Sequence, residues 1–158
     1  MLKLNKSDIK GILISCAISV GTGGLSGFLS MISNNTFDVI QKPPLTPPAF
    51  VFPIVWLILY LLMGLSAYLI YKTDSPIKKK ALTIYGISLA LNFVWPFLFF
   101  VFQAFLLSFI WLIVLWATVL CMILEFFKIN TAAALLQIPY LLWLSFAAYL
   151  NFAIYLLN

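Results

Sequence analysis

Phe37–Trp56 reads FDVIQKPPLTPPAFVFPIVW, and its prolines decide how the chain is organised. Pro43, Pro44, Pro47 and Pro48 fall within six residues. Each locks its own φ and biases the residue before it away from the helical region. The segment is therefore stiff and extended. It runs directly into a long apolar stretch that carries Pro53 and Trp56 in its first turns. A rigid loop over the mouth of an aromatic-rich bundle has the form of a lid. The lid is assigned to residues 33–48, and a ligand is expected beneath it.

Composition sets the solvent. Of 158 residues, 65% are hydrophobic and 8% charged, against about 45–50% and about 25% in soluble domains. A chain of this length cannot hide so much apolar surface, so its exterior must face lipid. Five segments reach the ~20 residues that a bilayer crossing needs. They run from about residue 9 to 32, 49 to 71, 81 to 102, 105 to 127 and 132 to 157. The expected fold is all-α, an integral membrane bundle of five transmembrane helices forming a single domain over residues 1–158. Pro48 is placed at the first position of the second helix, where a missing N–H is harmless. Only Gln103 interrupts the run between the third and fourth helices, which predicts a very tight helical hairpin. The first segment lacks the small-residue cleavage pattern of a signal peptide and is read as a span.

The lysines orient the bundle. Lys3, Lys6, Lys10, Lys72, Lys78, Lys79, Lys80 and Lys128 fall on one side of the membrane, and Lys42 alone on the other. Under the positive-inside rule the N-terminus is cytoplasmic, and the proline loop and C-terminus face outward. This topology also accounts for the net charge of +5, so nucleic acid is not an expected partner.

Other residues exclude whole classes of chemistry. The chain has no histidine, so no His-based metal site, catalytic triad or His-ligated haem iron can be built. Cys16 and Cys121 lie inside predicted helices and read as small packing residues. Asp8, Asp38, Asp74 and Glu125 sit at or near segment ends, leaving no midplane ionisable group of the kind ion-coupled transporters use. Five spans also resist division into two equal repeats.

What remains is glycines, aromatics and amides. Gly21, Gly23, Gly24 and Gly27 cluster in the first span, with Gly23 and Gly27 in GxxxG spacing, and read as close packing. Gly86 and Ala90 form a similar pair facing a neighbouring helix or a second copy. In the third span Asn92, Trp95 and Phe99 share one face. Pro96 frees the Asn92 carbonyl and should kink the helix. At membrane depth Asn92 needs a partner, either across a packed interface or in a cavity. Trp143, Ala147 and Asn151 share a face after Pro139 in the fifth span, as do Pro53, Trp56 and Tyr60 in the second. Trp111 and Trp116 read as interface anchors or lipid-facing residues.

Three elements, KPPLTPPAFVFPIVW followed by LYLLMG, ALNFVWPFLFF and PYLLWLSFAAYLNF, together resemble the TspO/MBR family of tryptophan-rich sensory proteins related to the mitochondrial translocator protein. They occur in the family's order over nearly the whole chain. The resemblance implies a bacterial cell-membrane protein, often a homodimer, with a pocket among its helices beneath the first loop. It implies binding of porphyrins and haem-type tetrapyrroles, of isoquinoline carboxamide and benzodiazepine drugs, and in some members of cholesterol. The implied lining is Pro47, Phe50, Trp56, Asn92, Trp95, Phe99, Trp143, Phe146, Ala147 and Leu150. The chain departs from the family pattern at Thr36-Phe37, at Phe50 and at Pro53-Ile54. The sterol motif lacks its basic residue, since Tyr155 is followed only by Leu156, Leu157 and Asn158.

Three functions compete at this point. One is a receptor or carrier for porphyrin-like ligands, needing no cofactor. A second is a light- and oxygen-dependent porphyrin-degrading enzyme, with porphyrin as substrate and Trp56 and Trp143 as the redox residues in place of conventional acid–base groups. The third is a regulatory interaction protein of the membrane.

Overall fold

The computed structural model describes residues 5–33 and 40–158, with the backbone alone for 30–33. The described residues contain helices and no strands. Helix α1 is Lys6–Ser33, α2 is Val51–Lys72 and α3 is Lys78–Pro96. A π-helical turn, Phe97–Val101, extends α3. Helix α4 is Phe105–Phe127, and the last span is divided into a short α5, Thr131–Leu135, and α6, Ile138–Leu157. Five spans are long and apolar enough to cross a membrane. Of the expected lid, residues 34–39 lie outside the described residues.

Local chemistry explains where these helices differ from the sequence expectation. Helix α2 starts three residues after Pro48, whose carbonyl accepts the Val51 N–H at 2.9 Å. Pro53, not Pro48, occupies the first turn, where no partner for its missing N–H is required. The last span breaks because Pro139 has no N–H to return to the residue four earlier. Gln137 N–H closes the first half onto Ala134 O at 3.0 Å, and Pro139 opens the second half near its first position. The Asn130 side chain caps α5 by accepting the Ala133 N–H at 3.1 Å.

Pro96 does not end its span. Phe97 N–H turns to Val94 O, and the carbonyl of Phe93 accepts the Ser26 hydroxyl of α1 at 2.6 Å. The disturbance is then carried by the π turn, closed by Phe102 N–H on Phe97 O at 2.9 Å. The expected tight hairpin follows. Gln103 adopts φ of 52°, and Ala104 N–H reaches back to Leu98 O at 3.0 Å.

Around the bundle, α1 lies against α2 and α3, α4 joins α3 to α6, and α5 bridges α4 and α2. Helices α2 and α6 touch only along a short stretch. The α1–α2 contact depends on glycine. A Cβ on Gly64 would lie 2.5 Å from the Cys16 Cα, a backbone atom that cannot rotate away. Gly11 and Gly23 of α1 lie under the rings of Tyr68 and Tyr60. Gly27 has open space around it, so the GxxxG pair is not one interface: only Gly23 packs within the chain. Gly86 and Ala90 are exposed on α3, and a Cβ on Gly86 would meet nothing within 4 Å among the described residues.

One end of the bundle gathers the charge. Lys72 Nζ meets Asp8 at 2.6 Å, and Lys80 and Lys128 meet Glu125 at 2.8 and 3.1 Å. Tyr68 OH donates to Asp8 at 2.5 Å, tying α1 to α2 there. Replacing Gly64 by Ala must push α1 from α2 and should cost about 1–3 kcal/mol, read as a lower unfolding midpoint in detergent. Gly24→Ala, which meets nothing within 4 Å, should hold or raise the midpoint, since Ala favours a helix interior by up to about 1 kcal/mol over Gly.

Candidate ligand-binding site

The aromatic residues of α2, α3 and α6 form three neighbouring clusters. In the first, Trp56 stacks on Tyr60 one helical turn away, with ring centroids 5.5 Å apart and planes 25° from parallel. Asn92 Nδ2 crosses from α3 and donates to Tyr60 OH at 2.7 Å. Asn92 is only 3% exposed, so this interhelical bond is the partner its burial demands. Tyr140 of α6 stands edge-on to Trp56 at 6.2 Å.

The second cluster centres on an amide that the sequence placed on the right face without revealing its role. Trp95 stacks on Phe99 at 5.3 Å, and its indole N–H donates to Asn151 Oδ1 at 3.2 Å. Ser108 donates to the same oxygen at 3.0 Å. Asn151 Nδ2 in turn donates to the Phe105 carbonyl at 2.9 Å. Asn151 thus binds α3, α4 and α6 together beside the Gln103 hairpin.

The third cluster is an opening. Trp143 packs against Phe146 at 5.5 Å and against Phe52 at 6.0 Å. Trp143 and Phe146, with Val55, Leu59 and Pro139, wall a groove of about 470 Å³ between α2 and α6. Trp56, Asn92 and Trp95 stand outside that lining. Of the other expected residues, Phe99 and Leu150 are buried, Pro47 and Ala147 half-buried, and Phe50 is 67% exposed at the cap of α2.

The proline segment is pinned above. Gln41 N–H donates to Asn158 Oδ1 at 2.9 Å, and Asn158 Nδ2 donates back to Gln41 O at 3.0 Å. Pro43 is buried, and Thr46 closes on the Pro43 carbonyl through both its N–H and its hydroxyl. No charged side chain belongs to any of the three clusters, and among the described residues no group of acidic, Cys or His side chains could hold a metal ion. The arrangement can stack flat rings and offer isolated donors; it has no acid–base pair.

Sequence reasoning missed two tryptophans. Trp111 donates to Leu91 O at 2.8 Å and Trp116 to Ser145 Oγ at 2.9 Å. They fasten α4 to α3 and α6, and do not serve as simple interface anchors. For Trp116 the signal available was Ser145, a hydroxyl at membrane depth whose proton goes to Leu141 O and whose oxygen accepts the indole.

A model of the TspO/MBR family matches residues 13–157. The chain belongs to the TspO/MBR family. It is 34% identical to the tryptophan-rich protein TspO of Chlorobaculum tepidum, covering 93% of this chain and 94% of that one. It is 36% identical to the tryptophan-rich protein TspO of Archaeoglobus fulgidus, over 92% and 94% of the two chains. The sheep (Ovis aries) translocator protein is 37% identical over 72% of this chain and 69% of its own. As a TspO/MBR member with five apolar helices, this is a multi-pass membrane protein.

The two Gln41–Asn158 bonds are worth about 1 kcal/mol each. Asn158→Ala should therefore speed hydrogen exchange at the Gln41 amide roughly tenfold or more, measured by mass spectrometry in detergent.

Proposed function

We propose that this TspO/MBR protein is a membrane receptor or carrier for flat, hydrophobic ligands of the porphyrin type, and that it also accepts isoquinoline carboxamide and benzodiazepine compounds. The observation that carries the reading is the uncharged Trp56–Tyr60–Asn92 cluster beside the Trp143–Phe146 groove. Ring walls with a few fixed donors suit a planar aromatic ligand, which gains stacking and apolar burial and is oriented by one or two hydrogen bonds. The groove has the size of an ordinary small-molecule site, about 300–1,000 Å³. The names of the relatives, sensory protein and translocator protein, accord with ligand handling in a membrane.

In this reading Trp56 supplies one wall and Ala147 supplies room, because a larger side chain on α6 would fill space beside Trp143. Trp56→Ala and Ala147→Leu should each weaken protoporphyrin IX binding about tenfold or more, measured by quenching of intrinsic fluorescence in micelles. Unchanged affinity in both variants would sink the proposal.

The same proposal places the lysine-rich end in the cytoplasm and the proline segment outside. A reporter active only outside the cytoplasm, fused after Asn158, should be active. One fused after Lys128 should be silent, and the reverse pattern would invert the topology.

A further inference from the structure

Four buried side-chain polar atoms among the described residues have no hydrogen-bond partner: Gln137 Nε2 and Oε1, Tyr140 OH and Trp143 Nε1. Gln137 caps α6, and Tyr140 and Trp143 follow at i+3 and i+6, so the three lie along the same side of its start. Gln137 and Tyr140 are completely buried, each at 0% exposure. Elsewhere in the bundle comparable groups are paired. Asn92 has Tyr60, Asn151 has Trp95 and Ser108, and Ser19 has Tyr85. A dry amide with neither end satisfied is strongly unfavourable, and native interiors rarely tolerate one without a reason.

The position of the strip supplies the reason. Tyr140 stands edge-on to Trp56, so the strip adjoins the aromatic site. Trp143 also walls the groove between α2 and α6. That seam is thinly packed, and its outer rim, Ile58 and Leu142, is exposed by 52% and 65% on the face the bundle turns to lipid.

Building on the ligand-binding reading above, we infer that Gln137 and Tyr140 form the polar floor of the site and receive an uncharged carboxyl or carboxamide group of a flat amphiphile that parts α2 from α6. The chemistry selects this class. A primary amide offers one donor and one acceptor side by side, which complements a protonated carboxyl or another amide. A phenol adds a donor or acceptor. Helix α6 carries no Lys or Arg, and Lys72 of α2 is engaged by Asp8, so a bare carboxylate would lack a free counter-charge on either helix in a low-dielectric interior. An entirely apolar ring system would leave all the orphan atoms unpaired.

Two porphyrins that differ only in this respect test the inference: mesoporphyrin IX, with two propionic acid chains, and etioporphyrin, with alkyl substituents alone. Affinities are measured in micelles for the wild type, Gln137→Leu and Tyr140→Phe. Both changes keep side-chain bulk, and Gln137→Leu removes two unsatisfied atoms, so folding should survive. Mesoporphyrin binding should weaken tenfold or more in each variant, while etioporphyrin binding stays within twofold. Equal losses for both porphyrins, or small equal shifts, would make the strip a packing feature or a bound-water site and overturn the inference. No change with either porphyrin would overturn it as well, while leaving tetrapyrrole binding intact. A wild type that binds neither would remove the ligand-binding reading, and this inference with it.

Discussion

Hydrocarbon offers no partner to a backbone N–H or C=O, and the rest of this structure depends on that constraint. It forces the chain into helices and removes the usual drive to bury apolar side chains, since lipid is as apolar as any core. Helices must then find one another through close approach and hydrogen bonds. The bare backbone at Gly64 lets α2 rest on the Cys16 Cα of α1. Ser66 reaches the Ala133 carbonyl of α5 at 2.7 Å, and Trp111 reaches the Leu91 carbonyl of α3 at 2.8 Å. Each contact satisfies a polar group that lipid would leave stranded.

The prolines work within the same constraint. Pro96 removes a donor from α3, and the carbonyls it disturbs must be answered inside the protein. Ser26 answers at Phe93, and the π turn takes up the residual mismatch. This local solution turns Phe99 onto Trp95 and Phe105, and leads the chain through Gln103 into α4. Asn151 then fixes the arrangement by contacting both sides of the hairpin. One amide thus serves both: Asn151 accepts the Trp95 indole and donates to the Phe105 carbonyl.

Much of this was legible in the sequence. Length and hydropathy alone locate five spans, and the tight turn at Gln103 follows from a lone polar residue between two apolar runs. Helical periodicity put Trp56 with Tyr60 and Asn92 with Trp95. It could not say that Tyr60 and Asn92 meet, because periodicity assigns a residue to a face and says nothing about the neighbour across it. For the same reason Gly23 and Gly27 look equivalent in sequence, although one lies under a tyrosine ring and the other in open space. The break before α6 was missed because Thr131–Leu157 reads as one apolar run interrupted only by single polar residues. Only the missing N–H of Pro139 marks the division, and a proline near a helix start is easily absorbed. The unsatisfied strip was invisible for a different reason, since it is defined by the absence of partners.

Charged side chains and the aromatic clusters are kept apart in this molecule. Asp8 and Glu125 are each engaged by lysines at one end, where exposed cations keep their hydration and the pairs contribute modestly. Tyr68 extends the Asp8 pair into an interhelical clasp by donating to the same ionised carboxylate. The aromatic clusters lie nearer the opposite end, where the proline segment is held by neutral amide bonds between Gln41 and Asn158. A charged group in the clusters would have to be desolvated and would bind well only ligands carrying the opposite charge. With neutral donors, the proposed site would choose its ligand chiefly by ring shape. In that proposed site, selectivity beyond shape would come from the polar atoms left unpaired, which among the described residues lie along the start of the last span.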